Sequence, residues 1–292
     1  MTNPRSSMQI GFICLGNIGR PIATTLAEAG TALAVFDAAG TAERAPAGAT
    51  VAISVEEVAR RSDIVLLSLP TSEAVLEVTR TIVAGEERRA STVVDLSTTG
   101  IDAGRELASI LHDAGIDYLE APISGGAKGA EAGTLAVMAS GRLEVWERVA
   151  PILEPISTNR FLVGREPGQA QAMKLLNNFL LATAMAATSE ALVFGERQGL
   201  DPELMLKVLN ASSGQSAAAS RNFSQMLAGT KPLTSQAALM GKDIALYLAG
   251  AQGSNTTRGV AEAVGGVWSA FAEAEPETDF SEVLRFVRGL SE

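Results

Sequence analysis

Cysteine, histidine and aromatic residues are scarce in this chain, and each shortage excludes a class of protein or site. One cysteine and one histidine occur among the 292 residues, and aromatic residues make up 4% of the chain. A single cysteine excludes an internal disulfide framework, and neither residue type is numerous enough for a cysteine-rich or paired-histidine metal site. So few aromatic residues, beside abundant alanine and glycine, favour close helix and sheet packing over an aromatic-rich β-sandwich.

Positive charge is in short supply as well. The formal net charge is −10, so a general surface for nucleic acid or for an acidic membrane is not expected. His112 follows a helical pattern with no nucleophile-elbow motif, and we predict a solvated capping role for it. The N-terminal segment MTNPRSS lacks an apolar signal core, so we expect a cytoplasmic protein.

Short β-type runs alternate with helical patterns through the first half of the chain. The predicted strands are MQIGFIC, TALAVFD, ATVAIS, DIVLLSLP, STVVDLS, IDYLEAP, GTLAVMAS and RFLVG. Helices are predicted at residues 18–29, at 55–61, from 72 onward and at 102–113. This alternation predicts an α/β fold class, in which residues 1–164 form a Rossmann-type, doubly wound parallel sheet that binds a dinucleotide.

The second half, after Gly164, is helical in pattern throughout. Its first segment, GQAQAMKLLNNFLLATAMAATSEALVFGERQG, predicts one long interdomain helix that is apolar on nearly every side, so we expect it to be buried. A membrane span is disfavoured because Lys174, Asn178 and Glu190 would be costly in lipid. Further helices are predicted at residues 201–210, 216–228, 235–250, 256–274 and 280–289. Residues 165–292 are therefore predicted to form an all-α domain for substrate binding and oligomerisation.

The stretch ICLGNIG, between the first strand and the first helix, is typical of a Gly-x-Gly-x-x-Gly dinucleotide turn with Cys14 in place of the first glycine. Gly16 lets the backbone approach a pyrophosphate, and Gly19 lets the helix pack closely on the strand. Cys14 is interpreted as a small buried residue at a position that does not require a positive φ. The alternative is weakened cofactor binding or a redox-sensitive thiol that faces the phosphates. The turn residues predicted to bind the cofactor are Leu15, Gly16, Asn17 and Ile18.

Asp37 ends the second predicted strand, eighteen residues after Gly19. A carboxylate at this place bonds the hydroxyl groups of the adenosine ribose of a dinucleotide. The same carboxylate repels a 2′-phosphate, and Ala38 and Ala39 offer no arginine to bind one. NAD is therefore predicted in preference to NADP, and Arg44 is expected on a solvated helix face.

Three further segments carry polar residues in apolar or glycine-rich surroundings. The segment EAPISGGAKGAEAGTLAVMASG, at residues 120–141, contains a Ser-Gly-Gly turn that predicts a backbone nest for a carboxylate. On the long helix, Lys174 and Asn178 lie four residues apart on one face, and Lys174 is a candidate proton donor. Lys242 and Asp243 lie in another apolar helix and form a second candidate pair.

These segments resemble, in order, four motifs of the β-hydroxyacid dehydrogenase family, whose members include 3-hydroxyisobutyrate dehydrogenase and tartronate semialdehyde reductase. GFICLGNIGRPIATTL resembles the cofactor-binding segment, EAPISGGAKGAEAGTL the substrate-binding segment, GREPGQAQAMKLLNN the catalytic helix and MGKDIALYL a later helix that faces cofactor and substrate. SLPTSEAVLEV and VDLSTTG resemble two strand-end segments beside the nicotinamide. The resemblance covers essentially the whole chain and implies a 6-phosphogluconate dehydrogenase-like architecture.

The resemblance also implies a role for individual residues. Lys174 would be the general acid/base, and Asn178 would orient the hydroxyl or the carboxylate of the substrate. Lys242, held by Asp243, would bind both the substrate and the nicotinamide. The residues implied to hold the substrate carboxylate are Ser124, Gly125 and Gly126. The residues implied to border the cofactor are Leu69, Pro70 and Thr98.

The activity implied by the resemblance is the NAD(P)-dependent interconversion of a small, carboxylate-bearing β-hydroxyacid and its aldehyde or keto acid. Two alternatives stay open, namely an imine reductase-like oxidoreductase and a non-catalytic NAD-binding sensor. Lys174 and the Ser-Gly-Gly turn argue against the first, and only Cys14 supports the second. Glu120, in place of a more usual aspartate, is a further departure from the family pattern.

Apolar surface beyond the needs of one core predicts a homodimer or homotetramer. Lys128 is expected in solvent unless it binds a second acidic group of the substrate.

Overall fold

The computed structural model describes residues 8–224 and 235–290 of the chain. The chain forms two compact units, Met1–Lys174 and Leu175–Glu292. In its described part, the first unit is a nine-stranded sheet covered by helices, and the second is helical. The predicted α/β fold class, with a Rossmann-type sheet followed by a helical region, is confirmed.

The strands of the first unit are β1 (Ile10–Ile13), β2 (Leu33–Phe36), β3 (Thr50–Val51), β4 (Ile64–Leu67), β5 (Thr92–Asp95), β6 (Asp117–Glu120), β7 (Ile123–Ser124), β8 (Ala136–Ser140) and β9 (Asn159–Gly164). They pair in the order β3-β2-β1-β4-β5-β6-β8-β7, and β9 pairs with β8. From β3 to β6 every pair is parallel, whereas β8 runs antiparallel to β6 and β7. The strand order reverses between β1 and β4, and open α/β sheets bind ligands at such a switch point.

Helices cover both faces of this sheet, so its central strands are apolar on both sides. They are α1 (Gly19–Glu28), α2 (Val55–Arg61), α3 (Ser72–Ala84), α4 (Ile101–Asp113), α5 (Gly126–Glu131) and α6 (Leu143–Val149). Phe12, Ile22 and Leu26 pack on one face, and Val65 and Leu107 pack on the other. This double cover explains why IGFI and IVLL are continuous apolar runs and not alternating ones.

Two short elements around the Ser-Gly-Gly turn were not predicted from the sequence. Residues 120–141 were interpreted as a glycine-rich segment between strands, but the structure places β7 and α5 within it. A two-residue strand and a six-residue helix are too short to show a periodic apolar pattern. Helix α6, seven residues long, was missed for the same reason.

Helix α7 (Gln169–Arg197) begins in the first unit and continues into the second, as the long-helix prediction requires. The later helices are α8 (Pro202–Asn210), α9 (Ala237–Gly253), α10 (Gly259–Ala274) and α11 (Val283–Gly289), with a π-helical segment at Ala218–Phe223 and a 3₁₀ turn at Phe280–Glu282. Residues 225–228 of the predicted helix at 216–228 lie outside the described residues. In the core of this unit the indole N–H of Trp268 donates to the carbonyl oxygen of Ala182 at 3.1 Å.

The expectation that α7 is buried on nearly every side is wrong. Leu176, Leu180 and Phe194 are 39%, 60% and 67% exposed, and these positions share one side of a helix with 3.6 residues per turn. Composition shows that a helix is apolar, but it does not show which of its sides are packed against other elements of the same chain. α7 is long and apolar enough to cross a membrane, but core helices of soluble proteins meet the same criteria of length and composition.

Candidate active site

The turn between β1 and α1 is shaped by two glycines with different surroundings. A Cβ at Gly19 would overlap the carbonyl oxygen of Cys14 and come within 3.1 Å of the Phe12 ring, so α1 can start here only with glycine. A Cβ at Gly16 would meet only the Cys14 sulfur, at 3.8 Å. The backbone at Gly16 is therefore open to close approach, which fits the pyrophosphate of a dinucleotide.

Cys14 contradicts the expectation that its position does not require a positive φ. Its φ is +76°, in the left-handed region that costs residues other than glycine about 1–2 kcal/mol. The side chain is partly exposed and not buried as expected, yet the burial it has raises the pKa of the thiol. A thiol that holds its proton is a poor nucleophile, which argues against the redox-sensitive alternative.

Asp37 is connected to the turn by hydrogen bonds. Its Oδ2 accepts the N–H of Leu15 at 2.6 Å, and its Oδ1 accepts the N–H of Ala39 at 2.8 Å. Arg44 lies in a turn and not on the expected helix face, and its 38% exposed side chain lies 3.4 Å from Oδ1. The carboxylate that is predicted to bind the ribose is thus fixed at the carboxyl end of β2, beside the glycine-rich turn.

A hydrogen bond to the Ser97 side chain connects the segments that follow β4 and β5. The hydroxyl of Ser97 accepts the N–H of Leu69 at 2.9 Å. Because carboxyl ends of neighbouring parallel strands lie at one edge of a sheet, Leu69, Pro70 and Thr98 share an edge with the turn at Cys14. The structure therefore brings the three predicted cofactor-binding segments of the first unit to the same side of the sheet.

The Ser-Gly-Gly turn connects β7 to α5. Gly125 and Gly126 have φ values of +133° and +64°, conformations that L-residues other than glycine rarely adopt. A Cβ at Gly125 would also come within 3.0 Å of the Leu135 side chain. Successive backbone N–H groups in such turns can form a concave surface for an anion. Lys128, in α5, is exposed as expected.

Glu120 anchors the start of α7 to the sheet. This fully buried carboxylate accepts the N–H of Gly168 and the hydroxyl of Ser140, each at 2.7 Å, and the Ser140 oxygen accepts the N–H of Ala170 at 3.0 Å. Burial raises the pKa of Glu120, while these hydrogen bonds oppose the shift. Gly104 leaves the space that the carboxylate occupies, because a Cβ there would overlap Glu120 Oε1.

The sequence analysis predicted no function for Gln171, which lies in the first turn of α7. Its side chain is fully buried, and its Oε1 accepts the N–H groups of Thr99 at 3.0 Å and Gly100 at 3.3 Å. Its Nε2 donates to the carbonyl oxygen of Ser97 at 3.1 Å. The available signal was an amide side chain in an apolar helix, three residues before Lys174. Lys174 itself is 9% exposed.

In the second unit, three of the predicted site residues form one polar cluster. Asn178 Nδ2 donates to Asp243 Oδ2 at 2.6 Å, and Lys242 Nζ lies 3.2 Å from Asp243 Oδ1. Asn178 and Asp243 are 7% and 8% exposed, so the buried carboxylate is compensated by an amide and an ammonium group. Asn178 also follows Lys174 by four residues on α7, which places both side chains on the same helix face.

Two family models together span most of the chain. The NAD binding domain of 6-phosphogluconate dehydrogenase matches residues 9–164. The model described as NAD-binding of NADP-dependent 3-hydroxyisobutyrate dehydrogenase matches residues 168–287.

Individual relatives agree with these matches. A 2-(hydroxymethyl)glutarate dehydrogenase of Eubacterium barkeri is 37% identical over 73% of this chain and 71% of its own. An NAD-dependent L-serine dehydrogenase of Pseudomonas aeruginosa is 33% identical over 84% of this chain and 86% of its own. The structure of Mycobacterium tuberculosis 3-hydroxyisobutyrate dehydrogenase with L-serine is similar with a TM-score of 0.88, at 32% identity, over 96% of this chain and 99% of that one.

Proposed function

The chain belongs to the β-hydroxyacid dehydrogenase family of NAD(P)-dependent CH–OH oxidoreductases, and we propose that it interconverts a small β-hydroxyacid and its aldehyde or keto acid. The observation that carries this proposal is the burial of Lys174, of which 9% is exposed. Lys174 lies in the same compact unit as the dinucleotide turn and the Ser-Gly-Gly turn. An amine with little exposure to water suits the transfer of one proton to or from a substrate hydroxyl.

Lys174 is the general acid/base of the proposed reaction. Bound NAD(P) supplies the two-electron acceptor or donor. In oxidation the neutral amine of Lys174 takes the hydroxyl proton while the carbon that carries the hydroxyl is oxidised. In reduction its ammonium returns that proton to the developing alkoxide. Asn178 orients the hydroxyl or the carboxylate of the substrate, and Lys242 binds the substrate and the nicotinamide.

The substrate class is a carboxylate with a neighbouring hydroxymethyl group. The substrates in the names of the relatives, 2-(hydroxymethyl)glutarate, 3-hydroxyisobutyrate and L-serine, share the unit HOCH₂–CH–COO⁻. Ser124, Gly125 and Gly126 hold the carboxylate of this unit through the Ser hydroxyl and the backbone N–H groups. An exposed Lys128 does not favour a second acidic group on the substrate.

NAD is the proposed cofactor, and NADP is the less favoured one. Asp37 is 6% exposed, and in the proposed binding mode its negative charge would repel a 2′-phosphate on the adenosine ribose. Arg44 would be the natural partner of that phosphate, but it is paired with Asp37. The pair therefore favours a ribose with two free hydroxyl groups.

A homodimer or homotetramer in the cytoplasm is the proposed form of the protein. The exposed side of α7, defined by Leu176, Leu180 and Phe194, is the support for the assembly. Large apolar side chains aligned on one helix side are typical of subunit interfaces.

The deciding experiment is an activity screen of the purified protein. Oxidation of 3-hydroxyisobutyrate, L-serine and 2-(hydroxymethyl)glutarate is followed with NAD⁺ and with NADP⁺, and reduction of cyclic imines is followed with NADH and NADPH. Turnover of at least one hydroxyacid, faster with NAD⁺, supports the proposal. Turnover of imines alone favours the imine reductase alternative, and NADH binding without any turnover favours the sensor.

A further inference from the structure

Gln171 is held by three hydrogen bonds to one short segment, and we propose that it is a positioning residue for the transfer step. Its Oε1 accepts two backbone N–H groups, from Thr99 and Gly100, and its Nε2 donates to the carbonyl oxygen of Ser97. The proposal rests on the proposed function, because it concerns the placement of Lys174 relative to the cofactor-bordering residue Thr98.

The amide of Gln171 can sit in only one orientation. Two donors converge on one of its atoms and one acceptor faces the other, so a flipped amide would place N–H against N–H and oxygen against oxygen. No other neutral side chain of the same length offers both a donor and an acceptor. A fully buried group with three such bonds fixes the backbone around it.

Thr98 lies within the segment that Gln171 holds, and Lys174 lies one helical turn beyond Gln171. The bonds to Ser97 and Thr99 flank Thr98 on both sides. Gln171 therefore sets the distance between the end of β5 and the helix that carries the proton donor. A misplacement of about 1 Å at reacting groups can cost on the order of a hundredfold in rate.

The start of α7 does not depend on Gln171 alone. Glu120 and Ser140 bind the N–H groups of Gly168 and Ala170 from β6 and β8. Removal of the Gln171 bonds should therefore leave the helix in place and loosen the segment at Thr98. The expected defect is one of alignment, which separates a positioning role from a general role in folding.

The first test replaces Gln171 with methionine, which has nearly the same length and no hydrogen bonds. We expect kcat of Gln171→Met to fall about ten- to hundredfold. The dissociation constant of NADH should stay within about threefold, and the primary deuterium isotope effect on kcat should rise. Gln169→Met is the matched control, because Gln169 is exposed on the same helix turn and its side chain accepts the N–H of the neighbouring Glu166. Equal kcat in the two variants would overturn the proposal.

A second variant, Gln171→Glu, keeps the test decisive if the methionine variant does not fold. The protonated carboxyl offers Thr99 and Gly100 an acceptor and Ser97 a donor, whereas the ionised form loses the donor. Its kcat relative to the wild type at the same pH should therefore fall as the pH rises through about 5 to 8. A ratio that does not change with pH would count against the proposal. Titratable groups on the elements around this carboxyl include Asp95 on β5, Tyr118 and Glu120 on β6, Arg105 on α4 and Lys174 on α7. Glu120 lies beside the Gln171 side chain, because a Cβ at Gly104 would meet both. The ratio cancels those titrations that both proteins share.

Wild-type activity separates the two possible failures. A wild type that turns over no hydroxyacid refutes the proposed function. A wild type that is active, loses activity in Lys174→Ala and keeps it in Gln171→Met refutes only the positioning role.

Discussion

The backbone N–H of Leu15 donates to Asp37 Oδ2 across 2.6 Å, so the glycine-rich turn and the carboxylate at the end of β2 are held as one unit. In the proposed binding mode a dinucleotide meets both parts, the turn through its pyrophosphate and the carboxylate through its ribose. Arg44 lies 3.4 Å from the same carboxylate. Its positive charge could bind the 2′-phosphate of NADPH once Asp37 no longer pairs with it.

Asp37→Ser is expected to shift the ratio of the NADH and NADPH dissociation constants in favour of NADPH. The variant loses the acceptor for the ribose hydroxyls and releases Arg44 from its partner, so NADH binding should weaken about tenfold or more and NADPH binding should strengthen. Fluorescence titration of both cofactors measures the ratio. Asp102→Ser, at a 98% exposed side chain, is the control and should leave the ratio unchanged. Adding Arg44→Ala should remove the gain for NADPH, and an unchanged ratio in Asp37→Ser would contradict the assignment.

Cys14→Gly is expected to stabilise the fold slightly and to change NADH affinity less than tenfold. Glycine relieves about 1–2 kcal/mol of strain at a positive φ, but its greater freedom in the unfolded chain costs about 0.5–1 kcal/mol. The net gain of up to about 1.5 kcal/mol should raise Tm by a few degrees. Cys14→Ala removes the thiol and keeps the strained Cβ, so its Tm should not rise. Equal Tm gains in both variants would show that the thiol, and not φ, is responsible.

Lys174→Ala should lower kcat about a thousandfold, within the range that general acid–base catalysis contributes. NADH affinity should remain within about threefold, because the proposed role of Lys174 concerns the substrate hydroxyl. Steady-state kinetics and fluorescence titration check the two quantities. Lys207→Ala, at an exposed lysine of α8, should behave as the wild type. Full turnover in Lys174→Ala would assign the proton transfer to another group.

Glu120 predicts a dependence of stability on pH. Burial raises its pKa in the folded state, so the unfolded chain loses this proton first as the pH rises. The folded state therefore loses stability from the unfolded pKa of about 4.3 upward through the folded pKa. In Glu120→Gln this loss is absent, so the Tm of the variant minus that of the wild type should increase between about pH 4 and pH 7. Glu87→Gln, at an 82% exposed side chain, should show no such trend, and a constant difference for Glu120→Gln would refute the account.

Phe194→Glu tests the proposed assembly. Phe194 is 67% exposed on the uncovered side of α7, and a charge in a subunit interface there should dissociate the oligomer. Sedimentation velocity or light scattering measures the mass. Ile53→Glu, at an 85% exposed apolar residue of the first unit, is the control and should keep the wild-type mass. A wild type that is monomeric at assay concentration would refute the proposal directly.

The parts of the fold that the sequence predicted are those in which a long pattern repeats. The run from β1 through α4 was located by its alternation of apolar strands and amphipathic helices, and α7 was located by a long run with no proline and no interior glycine before Gly195. The elements that were missed, β7, α5 and α6, are two to seven residues long and therefore too short to show a period.

The errors at single residues have a different cause. Cys14 was judged by its size and apolar character, whereas its place in the turn puts its backbone at φ +76°. Arg44 was expected on a helix face, but it lies in a turn that brings it to Asp37, seven positions earlier in the chain. Gln171 was passed over because its three bonds join segments more than seventy positions apart, and a single sequence does not show contacts at such a distance.

The contact between Gly104 and Glu120 imposes an order on the mutations that this chain can accept. A methyl group at position 104 would overlap the Glu120 carboxylate, which has no room to move because the N–H of Gly168 and the hydroxyl of Ser140 hold it. Shortening Glu120 to aspartate would vacate about one methylene of space, after which alanine at 104 becomes acceptable. In the opposite order the first step passes through a clashing intermediate. The two positions are therefore epistatic. A path from Gly104–Glu120 to an Ala–Asp pair is expected to begin with Glu120→Asp and to continue with Gly104→Ala.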